Sequence, residues 1–390
     1  MKALVIAPQP FFSPRGTPFS VYYRTLVMAQ EGVEVDFLTY GEGEDVDIPG
    51  CRIIRVPRLA FLGPVKIGPS LKKLILDVFM ALRTTALLLT NKYAFVHAHE
   101  EAVFICRFLK PVFRFKLVYD MHSSLPQQLT NFEFTTSKTL IGLFQRLERS
   151  SLEAAAAVIT ICPDLADYAL SEGVDPEKHF LIENSIFEDV RVMDGPRASG
   201  GAAPDPPYVP DDGPLIVYAG TLEAYQGIDT LVRAFATVRK ARPEVRLLIA
   251  GGTPAQVAEL SALAEDLCVS SATVFTGLVP KDVAREYLSR ATVLVSPRRS
   301  GTNTPLKVYE QLASGKPLVA TNIWSHTQVL NDSVCYLVEP EPESMARGLL
   351  QALEDGPASD RARAALALYE SEYSRDRYEA KIRRLLKVLR

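Results

Sequence analysis

Two series of short apolar runs, each run followed by a stretch with helical spacing, constrain this chain more than any other feature. In the first series the strand candidates are residues 3–7, 33–39, 53–56, 95–98, 116–120 and 157–161. Helical patterns separate them at 20–31, 71–89, 102–109 and 139–155. In the second series the strand candidates are 215–219, 246–250, 273–276, 292–295, 317–320 and 334–337, with helical patterns at 227–241, 255–267, 283–289, 306–314 and 344–354. Alternation of this kind predicts parallel sheets covered by helices on both faces, an α/β chain. Between the series, residues 194–213 are dense in Pro, Gly, Ala and Asp and lack hydrophobic periodicity, which reads as a linker. The expected division is a domain at 1–193, the linker, a second domain at 214–360, and a helical segment at 361–390. That last segment is basic at its end and is expected to pack back toward the first domain.

A length of 390 residues suits two domains, and 47% hydrophobic residues exclude a disordered chain. A formal net charge of -3 argues against a nucleic-acid binder. The charge is uneven: residues 51–150 carry fifteen Lys and Arg against six Asp and Glu. The five cysteines, Cys51, Cys106, Cys162, Cys268 and Cys335, are scattered and form no C-x-x-C pair. They support neither a disulfide framework nor a zinc site and fit a reducing cytoplasm. Met1-Lys2 leads straight into a strand-like run rather than a secretory leader, and the apolar stretch 74–89 is interrupted by Asp77 and Arg83.

The stretch from Arg298 to Pro317 carries the clearest chemistry. A buried strand feeds the polar loop Arg298-Arg299-Ser300-Gly301-Thr302-Asn303-Thr304, and a helix opens near Pro305. Free backbone N–H groups and the positive end of the helix dipole then face whatever lies before the sheet. Lys307 and Glu310, three residues apart, share a face of that helix. Phosphate oxygens match the N–H groups and the lysine, and sugar hydroxyls match the glutamate, so a ligand carrying both is a nucleotide sugar. Gly220-Thr221 to Gln226-Gly227 follows the first strand of the second series, and Gly251-Gly252 follows the next, so glycines that permit close backbone approach gather at one sheet edge.

Other motifs are weaker. Ser13-Pro14-Arg15-Gly16-Thr17 turns from the first strand into a helix without a G-x-G-x-x-G fingerprint, which argues against a dinucleotide site. Asp120-Met121-His122 ends a strand, where a histidine can meet a sugar hydroxyl. His97 and His99 lie on one side of a strand as a candidate metal pair without an evident third ligand, and strand-end packing is the expected role. Asp45-Val46-Asp47 is formally a D-x-D but sits in an acidic loop and reads as a solvated turn.

These residues resemble glycosyltransferase family 4, over nearly the whole chain. Leu222-Glu223-Ala224-Tyr225-Gln226-Gly227-Ile228-Asp229 is similar to the family's loop after the first donor-domain strand. Leu306 to Val319, with Glu310, Ala313, Gly315 and Pro317, is similar to its donor-binding helix and following strand. Ala154 to Ala166 and Asn184-Ser185 resemble late segments of its acceptor domain. The resemblance implies the GT-B fold, two Rossmann-like doubly wound domains facing across a cleft, the first binding acceptor and the second binding donor. It implies a retaining, metal-independent hexosyltransferase-like enzyme with no cofactor beyond a UDP- or GDP-sugar co-substrate.

By the same resemblance Glu310, the second glutamate of E-x7-E, holds the ribose, Gly16 and Thr17 lie by the diphosphate, and His122 lies near the donor sugar. Gly220, Thr221, Gln226, Arg298, Gly301, Thr302, Asn303, Thr304 and Leu306 line the donor loops. The chain departs from the pattern at three places. Thr302 replaces the first glutamate, and Thr221 and Gln226 replace the arginine and lysine that meet the diphosphate. Lys307, with Arg298 or Arg299, is expected to supply the missing charge and so joins His122 as a catalytic candidate.

The basic, apolar segments 71–74 and 104–116 suit an anionic membrane surface, with a glycan or lipid-linked acceptor at the inner face of the membrane. Two other readings use the same fold: a sugar-nucleotide-modifying enzyme of the epimerase or phosphorylase kind, and a catalytically impaired sugar-nucleotide-binding protein.

Overall fold

The computed structural model describes residues 1–12, 16–59, 63, 71–126, 138–184 and 213–390. The chain divides into two compact units, 1–199 with 375–390 and 200–374. The expected linker lies outside the described residues apart from Gly213, as do Ser13, Pro14 and Arg15 of the first glycine turn and Ser185.

The first unit is built on seven parallel strands: β1 (Lys2–Ala7), β2 (Glu34–Thr39), β3 (Cys51–Arg55), β4 (Phe95–His99), β5 (Lys116–Met121), β6 (Ala157–Thr160) and β7 (His179–Leu181). Their order is β3-β2-β1-β4-β5-β6-β7. Strand β7 is the one that sequence periodicity leaves out, since three residues with a histidine among them give no pattern. Alternate side chains of each strand enter opposite cores. Val5, Phe37, Phe95, Val118 and Ile159 meet α1 (Gly16–Gln30) on one face. Leu4, Ile6, Leu38, Val96 and Leu117 meet α2 (Leu71–Thr90), α3 (Ala102–Phe113), α4 (Lys138–Ala154) and α5 (Pro163–Ser171) on the other. With both faces covered, the strands read as continuous apolar runs. Helix α3 runs past the expected end at Leu109 and through Pro111, and Arg114 closes it in a left-handed cap.

The second unit repeats the scheme with β8 (Leu215–Ala219), β9 (Arg246–Ala250), β10 (Thr273–Gly277), β11 (Val293–Ser296), β12 (Leu318–Thr321) and β13 (Tyr336–Val338), in the order β10-β9-β8-β11-β12-β13. All pairs are parallel. Helix α6 (Ile228–Ala241) buries Ile228, Leu231, Val232, Phe235 and Val238, spaced as one helical face, while α7 (Pro254–Asp266) opens on a Thr253–Gln256 capping box. Helices α8 (Lys281–Arg290), α9 (Leu306–Ala313), α10 (Trp324–Thr327), α11 (Pro342–Asp355) and α12 (Asp360–Leu368) complete the cover.

The C-terminal segment does not move as the single piece 361–390. Helix α12 stays with the second unit, where Ala365 joins the core around Val308 and Leu312. Only Arg375–Arg390 belongs to the first unit. Helix α13 (Arg375–Leu389) presents Tyr378, Ile382, Leu385, Leu386 and Leu389 along one face to the core beside α1. The spacing of those residues sets the exchange point, since the apolar face begins at Tyr378.

In both sheets the strand order reverses beside the first strand, between β1 and β4 and between β8 and β11. Chain leaving the carboxyl ends on either side of such a point turns in opposite directions and opens a crevice, where ligands of doubly wound sheets bind.

Candidate functional site

At the reversal point of the second sheet, β8 delivers Gly220 and Thr221, and β11 delivers the loop 297–305. Gly220 has a φ of 154° and donates its N–H to the Ala250 carbonyl at 2.9 Å. A side chain there would run into the Lys307 amine and the Tyr218 hydroxyl. Lys307, on the first turn of α9, points back over the sheet. Its Nζ donates to the Tyr218 hydroxyl at 2.9 Å and to Gln226 Oε1 at 3.2 Å, and lies 4.2 Å from the centre of the Tyr218 ring. The Tyr218 hydroxyl in turn donates to the Thr221 carbonyl at 2.6 Å. Gly220, Thr221, Gln226 and Lys307 are thus gathered around Tyr218. Sequence reading missed that tyrosine because a tyrosine inside an apolar strand reads as core.

Lys307 keeps no carboxylate partner among the described residues. Burial, reinforced by the Arg298 guanidinium and only partly countered by Glu310, lowers its amine to about 7. The Glu310 carboxylate, one turn along α9, makes no hydrogen bond or ion pair among the described residues. Burial pushes its carboxyl up, with Lys281, Arg285 and Lys307 pulling the other way. The site therefore holds a cation and an anion that the protein leaves largely uncompensated. Groups in that condition mark ligand-binding positions.

The two arginines are engaged elsewhere. Arg298 donates to the carbonyls of Ser300 at 2.6 Å and Asn303 at 3.1 Å, and so braces the loop. Gly301, with a φ of 137°, lies directly under that guanidinium, where a side chain would collide with it. Arg299 pairs with Asp229 and Thr230 on α6. The Thr302 carbonyl accepts from Gln328, and the Thr302 side chain is exposed. The Thr304 hydroxyl is buried without a hydrogen-bond partner among the described residues. Leu306 opens α9 beyond Pro305. Beneath the loop the buried His326 meets the Ser296 hydroxyl at 2.9 Å and the Thr321 carbonyl at 2.9 Å. Burial lowers its ring to about 4, so it stays neutral as a support.

At the reversal point of the first sheet the arrangement differs. Gly16 and Thr17 open α1 beyond β1. His97 and His99 end β4 with rings stacked 4.6 Å apart, Asp120 lies at the end of β5, and His122 follows just beyond it. Asp120 accepts from His97 Nε2 at 2.8 Å, and His99 Nδ1 lies 3.2 Å from His122 Nε2. The third ligand-type group absent from the sequence reading is therefore Asp120. Its carboxylate and the two imidazoles place three such atoms within 4.8 Å of one another. The cation's place, however, is taken by Arg24. Its guanidinium, fully buried on α1, pairs with Asp120 and donates to the Ile182 carbonyl at 2.9 Å. Burial alone would push the Asp120 carboxyl up. Arg24, His99 and His122 outweigh burial and hold it well below the usual carboxylate range, while burial pushes both His97 and His99 down. Tyr378 of α13 lies buried beside the Arg24 guanidinium. A lone arginine in an apolar helix was the only hint of this in the sequence.

Asp45 lies exposed in an ion pair with Arg55, as a solvated turn residue. All five cysteines are free thiols. Among the described residues no helix is long and apolar enough to cross a membrane.

Residues 213–355 match the family described as glycosyl transferases group 1, and residues 26–185 match the glycosyl transferase 4-like domain. The D-inositol 3-phosphate glycosyltransferase of Acidothermus cellulolyticus is 30% identical over 169 residues, 41% of this chain and 38% of that protein. A phosphatidylinositol N-acetylglucosaminyltransferase component from Arabidopsis thaliana is 23% identical over 361 residues, 90% of this chain and 74% of that protein. Among solved structures, Anabaena HepE in complex with UDP superposes with a TM-score of 0.71 at 15% identity, covering 99% of this chain and 100% of that one.

Proposed function

Since the chain belongs to the family 4 glycosyltransferases and has their GT-B fold, we propose that it transfers a hexose from a UDP-sugar, with the second unit holding the donor. The observation that carries this reading is the uncompensated pair Lys307 and Glu310 on the first turns of α9, beside Gly220. Glu310 accepts two hydrogen bonds from the adjacent ribose hydroxyls, which a carboxylate with two free oxygens suits. Lys307 meets the diphosphate, helped by the N–H groups that open α9. When the sugar–phosphate bond breaks, charge grows on the leaving oxygen. A cation already in place, desolvated and held by Tyr218 and Gln226, stabilises that charge without rearrangement.

Lys307 thus does the work that the family's arginine and lysine would do at positions 221 and 226. It comes from a later helix instead of the first donor loop. Arg298 and Arg299 serve by shaping the loop. Because the charge comes from a side chain, this reading asks for no metal and no further cofactor. Departure and attack on one face of the sugar, and therefore retention, is the outcome proposed. HepE, which binds UDP, supports uridine over guanosine. A lipid-linked or glycan acceptor is proposed for the first unit. The Arabidopsis relative is named for phosphatidylinositol.

The test is transfer or hydrolysis of UDP-glucose by the purified protein, measured beside Glu310→Ala and Lys307→Ala. Turnover in the unmodified protein that collapses in both variants supports the reading. Equal turnover in all three, or calorimetric preference for GDP over UDP, overturns it.

A further inference from the structure

Helices that cover a parallel sheet ordinarily turn a polar face outward. Helix α2 does not. It buries Leu76, Met80, Leu87 and Leu88 against the sheet, yet Leu74, Val78, Leu82 and Leu89 stand 63%, 57%, 63% and 72% exposed on its outer side. At 100° per residue those four fall within an arc of about 80°. On α3, Phe108 and Val112, one turn apart, are 68% and 72% exposed, and on α4 Leu143 is 50% exposed. The three helices are packed side by side on the same sheet face, with the Phe104 and Phe144 rings 6.4 Å apart at the α3–α4 seam. Of the thirteen large apolar residues exposed among the described residues, seven lie on this one face.

Its exposed charges are mainly positive. Arg83 of α2, Arg146 of α4 and Arg114, which caps α3, are exposed and make no ion pair among the described residues, while Asp77 and Glu148 are turned inward to Tyr40 and Ser124. Glu153 is the exposed acid of the three helices. Arg107 and Lys110 are used internally, donating to the Ser150 and Ala154 carbonyls of α4, so they fix the seam, and the unpaired arginines flank the apolar rows.

We propose that the α2–α3–α4 face of the first unit is a docking surface for an anionic lipid bilayer, with the leucine, valine and phenylalanine side chains entering the headgroup boundary and the three arginines meeting lipid phosphates. Charge complementarity selects this occupant. A second copy of the chain would bring like-charged arginines together across the interface, whereas an anionic surface neutralises them and accepts the apolar rows at once. The surface belongs to the first unit alone and stands independently of the donor-site reading.

The experiment is co-sedimentation of the full-length protein with vesicles of phosphatidylcholine alone or with about one third phosphatidylglycerol, at low and high salt, with light scattering to record its mass in solution. The expected result is salt-sensitive binding to the anionic vesicles and little to the neutral ones. Leu82→Gln with Phe108→Gln should weaken binding about tenfold or more. Arg83→Gln with Arg114→Gln and Arg146→Gln should remove the preference for anionic vesicles. These side chains are exposed, so unfolding midpoints and calorimetric UDP binding should match the unmodified protein in every variant. Absence of vesicle binding at low salt, or a dimer that dissociates on Leu82→Gln with Phe108→Gln, would overturn the proposal.

Discussion

The first six strands of each sheet follow the same order and reverse at the same place, yet the central charges at their carboxyl edges are met differently. At the edge of the first sheet the central pair is answered from within: Asp120 by Arg24, and Arg24 by Asp120 and the Ile182 carbonyl. At the edge of the second sheet Lys307 is held only by the neutral oxygens of Tyr218 and Gln226, and Glu310 is held by none among the described residues. The lysine has consequently lost much of its hold on a proton, and the glutamate has become a weaker acid. A buried charge with its partner built in serves structure, whereas one without a partner is stabilised only when a ligand arrives. The contrast separates two clusters that sequence alone treats as equals, since both are polar residues at strand ends.

The sharpest way to break this comparison is to remove the internal partner on the first side. Arg24→Ala leaves Asp120 buried and unanswered and should destabilise the protein by about 3–5 kcal/mol, read as a lower midpoint in urea unfolding. Lys307→Ala, on the second side, should leave that midpoint near its original value, because the amine it removes is poorly solvated and unpaired. It should instead lower kcat for UDP-glucose by roughly 10²–10³. A Lys307→Ala protein that is as unstable as Arg24→Ala but still active would invert the assignment.

Glu310→Gln keeps the shape and halves the acceptor capacity. It should raise the donor Kd by about ten- to a hundredfold through loss of charge-assisted hydrogen bonds, with calorimetric titration of UDP as the readout. The smallest effect is on pH. Binding of a diphosphate favours the protonated amine, so affinity is full below the free-state value of about 7 and declines as pH rises beyond it. The decline should approach about tenfold per pH unit until the ligand-bound amine titrates. Calorimetry between pH 6 and 9 should show this slope in the unmodified protein and lose it in Lys307→Arg, whose guanidinium stays charged throughout.

The fold was legible because each strand is buried on both faces and each helix on one, so periodicity carries the information. Residues 215–219 and 246–250 are found in the structure as they read. Strand β7 escaped because three residues hold too little pattern. The division of the C-terminal segment at Arg375 escaped because α12 and α13 are both helical, and only their apolar faces, at Ala365 and at Tyr378, assign them to different cores. In the site, the glycines, Lys307 and Glu310 stood out by residue type and spacing. Arg24, Tyr218 and Asp120 as a third ligand-type group did not, since their meaning depends on partners between 3 and 158 residues away.

By itself the sequence determined what is written in local repetition: two parallel α/β sheets, a loop and helix suited to phosphate and sugar hydroxyls, and the absence of charge at Thr221, Gln226 and Thr302. Which cations are free to meet a ligand was decided only by the tertiary structure. Three were candidates, and Arg298 is spent on loop carbonyls and Arg299 on Asp229, which leaves Lys307. The reason is physical. Whether a charge is available depends on what lies within a few ångströms of it, and in a doubly wound fold those neighbours arrive from strands and helices far apart in the chain.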